Sequence, residues 1–258
     1  MNRTAKQGLV GALGVILLLA LWQVASFVGP LADSPMPSAT ATIAGMFTLL
    51  TSVDTWLATL DTLVIAVLGL VASTVLGVAL GIAIGTSPVI MHATRAVIEF
   101  LKPIPPIVVL PIVVLVLGPT PVMGIVLVII GCAVAIAVQT AAGVFDTDPV
   151  RRATGRTFGL SQADILRLID LPSSLPYIGT ALRVAAPTSL IVAVVAGLLG
   201  GGPGLGQSLL QAQLSGDQTN LFAYVMILGL LGLAFQGGSL LLEKRMLHWH
   251  PQFRKETP

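Results

Sequence analysis

Charge is scarce in this chain. Lys, Arg, Asp and Glu together make up 9% of its 258 residues, against about 25% in ordinary soluble domains. So few charges cannot clothe the surface of a water-soluble globule, which excludes a soluble globular enzyme. Disorder is excluded as well, since it needs low hydrophobicity and high charge, and here 55% of residues are apolar with a mean hydropathy of +0.97. The one cysteine, Cys132, sits in an apolar run, so there is no internal disulfide framework and no cysteine zinc cluster. The three histidines, His92, His248 and His250, lie outside the apolar runs, and no His-Glu-x-x-His occurs. An intramembrane metalloprotease would therefore lack its ligands, and no base is available to pair with a serine at membrane depth. No Gly-x-x-x-x-Gly-Lys-Ser/Thr phosphate loop is present either.

What the chain has is long apolar stretches. A spanning helix needs about 20 mostly apolar residues. Leu9–Val28, Thr62–Gly85 and Pro103–Phe145 are free of charge, and Gly118-Pro119-Thr120-Pro121 divides the last of these with a turn. The pattern predicts an all-α membrane protein, a single domain over 1–258 with six transmembrane helices near 9–28, 57–85, 96–117, 122–144, 180–199 and 221–242. The basic residues test the count. Arg3 and Lys6 precede span one; Arg95 and Lys102 lie between spans two and three; Arg151, Arg152, Arg156, Arg167 and Arg183 lie between spans four and five; Lys244, Arg245, Arg254 and Lys255 follow span six. With six spans all 13 bases fall on one side, and the opposite loops hold only Asp33, Asp54 and Asp217. Positive loops face the cytoplasm, so both termini are expected there. The first apolar run is too long for a signal-peptide core and is read as a retained span.

Span two carries Gly69, Ser73, Gly77, Gly81 and Gly85, small residues at i+4 spacing. They form one flat stripe that lets another backbone approach, for packing within the chain or between subunits, the first being favoured. Prolines interrupt the later spans: Pro103, Pro105 and Pro106 open span three, Pro111 lies inside it, and Pro187 lies inside span five. Each frees a carbonyl, for bending or for a transport pathway. Acidic or histidine relays of the kind proton-driven carriers place at the midplane are missing. Gln139 is the clearest polar side chain deep in a span. With Pro187, Thr188 and Ser189 it is a candidate pathway liner. The glycine-rich stretch Gly200–Gly206 follows a span instead of a strand, which argues against a nucleotide site and for a turn on the outer side. Residues 37–55 are expected to form a short amphipathic outer helix.

The connection 145–179 is far longer than a helix–helix turn and is locally ordered. Asp148-Pro149 reads as N-cap and N1 of a helix over 150–158, with Gly159 at C′. Ser161 with Asp164 reads as a variant capping box for a second helix over 162–170 that stops before Pro172. Such a shaped surface suits docking a partner protein; a basic loop lying on anionic headgroups is the plainer alternative.

Taken in order, Thr140-x-x-Gly143-Val144, Asp148-Pro149, Gly159-Leu160-Ser161, Leu171-Pro172-x-x-x-Pro176-Tyr177-Ile178 and Leu182-Arg183 resemble the EAA-loop region of bacterial ABC-importer permeases. Lys102–Pro106, Gly204-Leu205-Gly206 and Leu241–Arg245 with Trp249 resemble the nitrate/taurine/sulfonate branch. The resemblance implies a type I importer fold in the bacterial cytoplasmic membrane. It also implies a second permease copy, two separate ATPase subunits carrying ATP and Mg, an extracytoplasmic binding protein and membrane lipid as partners, with no nucleic acid and no cofactor held by this chain. The ATPase-coupling residues would be Ala153, Thr154, Gly155, Arg156, Gly159, Leu160, Ser161, Gln162 and Asp164. The chain departs from the family at Ala153-Thr154-Gly155, where the family has Glu-Ala-Ala, and at Gly197, where many relatives carry an acidic residue. An ion-coupled secondary carrier and a membrane scaffold are the competing readings.

Overall fold

The computed structural model describes residues 3–28 and 34–247, with side chains from residue 8 onward. Asp33, His248, Trp249, His250, Arg254 and Lys255 lie outside the described residues, as do the side chains of Arg3 and Lys6. Every regular element among the described residues is helical: α1 (Arg3–Ala25), α2 (Ala39–Leu50), α3 (Val53–Thr86), α4 (Pro88–Leu101), α5 (Pro106–Leu117), α6 (Pro121–Phe145), α7 (Pro149–Thr157), α8 (Gln162–Ile165), α9 (Leu171–Gly200), α10 (Leu205–Leu214) and α11 (Gln218–Met246). A π turn, Leu166–Asp170, joins α8 to α9. Five stretches are long and apolar enough to cross a membrane, and the bent pair α4–α5 makes a sixth if counted as one.

The chain divides into two compact units, residues 1–58 with 208–230 and residues 59–207 with 231–258. In the first, the expected helix after span one forms as α2, capped by the Ser38 hydroxyl, which accepts from Ala41 N at 3.2 Å. Trp22 Nε1 donates to the Pro37 carbonyl at 3.1 Å, and Gln23 Oε1 accepts from Thr40 N at 3.0 Å, so α1 and α2 are held side by side. Trp22 also lies 5.9 Å from the ring of Phe222.

In the second unit α6 is the core helix. Met123, Leu127, Val128, Ile136, Ala137, Thr140 and Val144 are fully buried. The small-residue stripe of α3 packs on it. A Cβ added at Gly77 would lie 2.8 Å from the Ala133 carbonyl, one at Gly81 2.5 Å from the Ala137 carbonyl, and one at Gly85 2.5 Å from Val144 Cβ. Ser73 Oγ donates to Gly69 O at 2.6 Å and lies 3.4 Å from Val128 O. The stripe therefore serves packing within the chain. On its other side α6 meets α9, where Cys132 Sγ lies 3.8 Å from the Ala185 carbonyl and Gly143 faces Ser174 and Tyr177.

Two expectations need correction. The stretch 96–117 is not one helix: α4 and α5 meet at 94° across residues 102–105. Pro103, Pro105 and Pro106 remove three N–H donors in four residues, so the helical ladder cannot continue. Pro105 takes the extended conformation (φ −64°, ψ 137°) that a following proline imposes. At 12 residues α5 is about 18 Å long, shorter than a hydrocarbon core of about 30 Å.

The second correction concerns Pro172. The helix beginning at Gln162 does not stop there; it runs through the π turn into α9, 39 residues in all. The π turn bonds Leu171 N to Leu166 O. This wider turn gives the Pro172 ring room beside the Leu168 carbonyl that an α turn would set against it. The element is about 58 Å long, twice the core of a bilayer, so its first turns project beyond the hydrocarbon.

Glycine, not a ligand, explains the turn after α9. Gly201 (φ +70°) and Gly204 (φ +120°) reverse the chain, and a Cβ at Gly206 would overlap the Val194 carbonyl. One at Gly197 would lie 3.2 Å from Gln207 N. The first turn of α10 thus crosses the backbone of α9, close enough that a side chain at Gly197 would press on backbone atoms of Gly202, Gly206 and Gln207. Thr62 Oγ1 accepts from Leu205 N at 2.9 Å and ties α3 to the same corner.

Candidate functional site: a capped hairpin and a polar groove

The first site is the hairpin α7–turn–α8. Asp148 caps α7, its Oδ1 accepting from Val150 N at 2.8 Å, with Pro149 at the first helical position. Gly159 (φ +79°) closes α7 in the left-handed conformation, and its N–H reaches Arg156 O while Leu160 N–H reaches Gly155 O, both at 3.0 Å. These paired bonds are a full Schellman cap. Ser161 and Asp164 complete a reciprocal capping box: Asp164 N donates to Ser161 Oγ and Ser161 N donates to Asp164 Oδ2, both at 3.2 Å. The Ser161 side-chain and backbone donors hold the Asp164 carboxyl below its ordinary pKa. Ending one helix and starting the next with every cap filled makes a short segment rigid without a large core.

The predicted coupling residues divide by burial. Ala153, Thr154, Arg156, Gly159, Ser161 and Gln162 are exposed, whereas Gly155 is buried, and Leu160 and Asp164 are half-buried. A Cβ at Gly155 would come 2.9 Å from Ile169 Cδ1 and 3.2 Å from Leu160 Cδ1. Glycine there lets α7 lie flat on the turn beneath it. Two features escaped the sequence reading. Phe158 ends α7 with 80% of its surface exposed, and Val150 and Leu168 of the same loop are exposed as well. Its presence on a polar loop was the available signal. Arg152 pairs with Asp170 at 2.7 Å; the two are 18 residues apart, a spacing that no local rule links.

The second site lies between α6 and α9. Gly131, Ala135 and Gln139 on α6 and Thr180, Val184 and Thr188 on α9 face each other across a cavity of about 190 Å³. Both triplets are spaced i, i+4, i+8, one helix face each. The Thr180 and Thr188 hydroxyls donate to Pro176 O and Val184 O at 3.0 and 2.9 Å, which leaves their lone pairs toward the groove. Of the four candidate liners the structure brings together Gln139 and Thr188. Ser189 sits about 100° further round the helix, fully buried, its hydroxyl donating to Ala186 O at 2.7 Å. Pro187 bends α9 without lining the groove. The groove carries no charged side chain. A solute there would meet an amide and two hydroxyls, groups that hydrogen-bond without trapping an ion.

Nearby charges are paired. Arg183 lies 3.4 Å from the buried Glu243 of α11, and Arg95 pairs with Glu99 on exposed α4 at 3.1 Å. Among the described residues no cluster of His, Cys, Asp and Glu could hold a metal ion.

Comparison with known proteins accords with this architecture. The chain is 28% identical over 183 residues to the Escherichia coli taurine transport system permease protein TauC, covering 71% of this chain and 66% of TauC. It is 30% identical over 165 residues to the nitrate import permease protein NrtB of Leptolyngbya laminosa, covering 64% of this chain and 59% of NrtB. The match thus spans less than two thirds of the length of either relative. Among solved structures, a bacterial ABC transporter involved in the import of the acidic polysaccharide alginate superposes with a TM-score of 0.67 at 16% identity, over 95% of this chain and 99% of that one, and so shares the fold. Residues 73–248, well over half the chain and including both the hairpin and the groove, match the model of one family. The chain therefore belongs to the binding-protein-dependent transport system inner membrane components.

Proposed function

We propose that this chain is the membrane-spanning permease subunit of an ATP-driven importer, and that two copies pair to form the pathway for a small solute. The observation that carries the reading is the hairpin: a rigid, fully capped projection at the end of a helix too long for the bilayer, tipped by exposed Phe158 and basic Arg151 and Arg156. A rigid hairpin that exposes an aromatic side chain and basic residues is suited to a cleft in a partner protein. The coupling residues Ala153, Thr154, Arg156, Gly159, Ser161 and Gln162 present that surface, and Gly155, Leu160 and Asp164 hold its shape. ATP and Mg would be held by separate ATPase subunits; this chain supplies the docking face and no nucleotide site. Both termini and the hairpin face the cytoplasm of a bacterial cell membrane, and an extracytoplasmic binding protein delivers the solute on the opposite side.

The solute is a small anion or zwitterion of the nitrate or sulfonate kind, the class named for TauC and NrtB. The groove is uncharged: the Gln139 amide can donate to an oxyanion, while the Thr180 and Thr188 hydroxyls, their hydrogens given to Pro176 O and Val184 O, offer acceptors to a cationic or N–H-bearing part of the solute, contacts too weak to hold it. A permease benefits from such weak contacts, because selection falls on the binding protein and the pathway has to release its cargo. Co-purification tests the reading. A tagged chain expressed in its native cell is expected to bring down an ABC-type ATPase, and Gly159→Val is expected to release it. Uptake of labelled taurine or nitrate into proteoliposomes that hold no ATPase would overturn the proposal in favour of a secondary carrier.

A further inference from the structure

The guanidinium of Arg152 joins three elements. Its Nε donates to Asp170 Oδ1 at 2.7 Å and its Nη2 donates to the Val144 carbonyl at 2.5 Å. Arg152 is on α7, Val144 lies one residue before the end of α6, and Asp170 ends the π turn that leads into α9. The Asp170 side chain is 7% exposed and that of Arg152 26%, whereas the neighbouring Arg151, Arg156 and Arg167 are exposed. Two further contacts brace the same joint. Gly155 seats α7 against Ile165 and Ile169, and Tyr177 Oη donates to Asp146 Oδ2 at 2.7 Å, linking α9 to the end of α6.

Position gives the clamp its meaning. Val144 is five residues from Gln139 on α6, and Asp170 is ten residues from Thr180 in the helix that becomes α9. The guanidinium therefore grips each groove helix on the hairpin side of the groove, about 7 Å along α6 from Gln139 and about 15 Å along the other helix from Thr180. An exposed ion pair would yield under load. A planar, forked donor held largely out of water fixes direction as well as distance. The π turn beside it is the one place where the helix ladder of the long element is widened, a feature that often marks functional sites. We infer that Arg152 is a positioning residue that converts movement of α7 into joint movement of α6 and α9, and so opens or closes the Gln139–Thr180–Thr188 groove. This inference rests on the importer reading, since it needs an ATPase to move α7.

The test uses the assembled complex in proteoliposomes and needs no knowledge of the solute. In a Cys132→Ala background, Ala135→Cys places a thiol in the groove, and its maleimide labelling rate is measured with and without ATP and Mg. With Arg152 present the rate changes on adding nucleotide. Arg152→Gln is expected to shrink that change by roughly two- to thirtyfold, the range by which residues in a coupled network alter communication between sites, while the ATPase stays attached and hydrolyses ATP. Arg152→Lys keeps the charge and loses the fork, and is expected to fall between the two. A full nucleotide-dependent change in Arg152→Gln would overturn the inference, as would loss of the ATPase from both variants, which would mark a purely structural role. Failure of the unsubstituted chain to retain any ATPase would instead overturn the importer reading.

Discussion

Gly81→Ala is the sharpest test of the packing that holds α3 against α6. A Cβ there would lie 2.5 Å from both the Ala137 carbonyl oxygen and Thr140 Cβ, against a normal separation of about 3.5–4.0 Å. One of the two obstructing groups is backbone and the other is the branch point of a fully buried threonine, so no rotamer change relieves the overlap. Helix α3 has to retreat from α6 by roughly 1 Å. Gly77 and Gly85 share the same seam, and a Cβ at either would meet its nearest neighbour at 2.8 and 2.5 Å respectively. Overpacking of this kind costs about 1–3 kcal/mol. At Gly237 of α11 a Cβ meets nothing within 4 Å, so Gly237→Ala there keeps the helix-propensity gain of about 0.5–1 kcal/mol. That gain is common to both substitutions and cancels, so the two variants should differ by roughly the overpacking cost, about 1–3 kcal/mol, or about 2–12 °C in melting temperature for a chain of this size. Thermal unfolding of both purified variants in the same detergent measures it. A Gly81→Ala protein that melts at or above Gly237→Ala would refute the close approach of α3 to α6.

Two further outcomes follow from the sites. Gly159→Ala forces a side chain into a backbone at φ +79° and should cost about 1–2 kcal/mol locally, seen as faster amide exchange over α7 and weaker ATPase retention with the spans intact. Gln139→Leu removes the one amide in the groove and should lower solute uptake by the reconstituted complex by about tenfold, the effect of one lost hydrogen bond of about 1.4 kcal/mol, while leaving ATPase attachment unchanged; equal uptake would take Gln139 out of the pathway.

The helix caps were legible because capping is local. Asp148-Pro149, Gly159 and Ser161 with Asp164 each act within a few residues, so the sequence places α7 to within one residue of its observed ends. The stripe from Gly69 to Gly85 was equally plain, because a face without side chains is useful only where another backbone approaches. Pro172 misled for a related reason. A proline forbids an α turn, but the chain took a π turn instead, and nothing in Leu166–Asp170 announces that choice. The break at Lys102–Pro105 carries an obvious signal in its three prolines, yet the apolar run on either side suggested one span, since hydropathy counts residues and is blind to a 94° bend.

Composition and periodicity alone determined that this chain lives in a membrane, how many apolar segments it has, and where the capped hairpin stands, because hydropathy, small-residue spacing and capping are properties of neighbours along the chain. Tertiary structure decided which residues share a groove and what fastens the hairpin to it. Gln139 meets Thr180 and Thr188 across two helices, Gly197 yields to the backbone of α10, and Arg152 finds Asp170 and the Val144 carbonyl. Those partners are set by how helices cross, and crossing depends on every side chain at the interface at once.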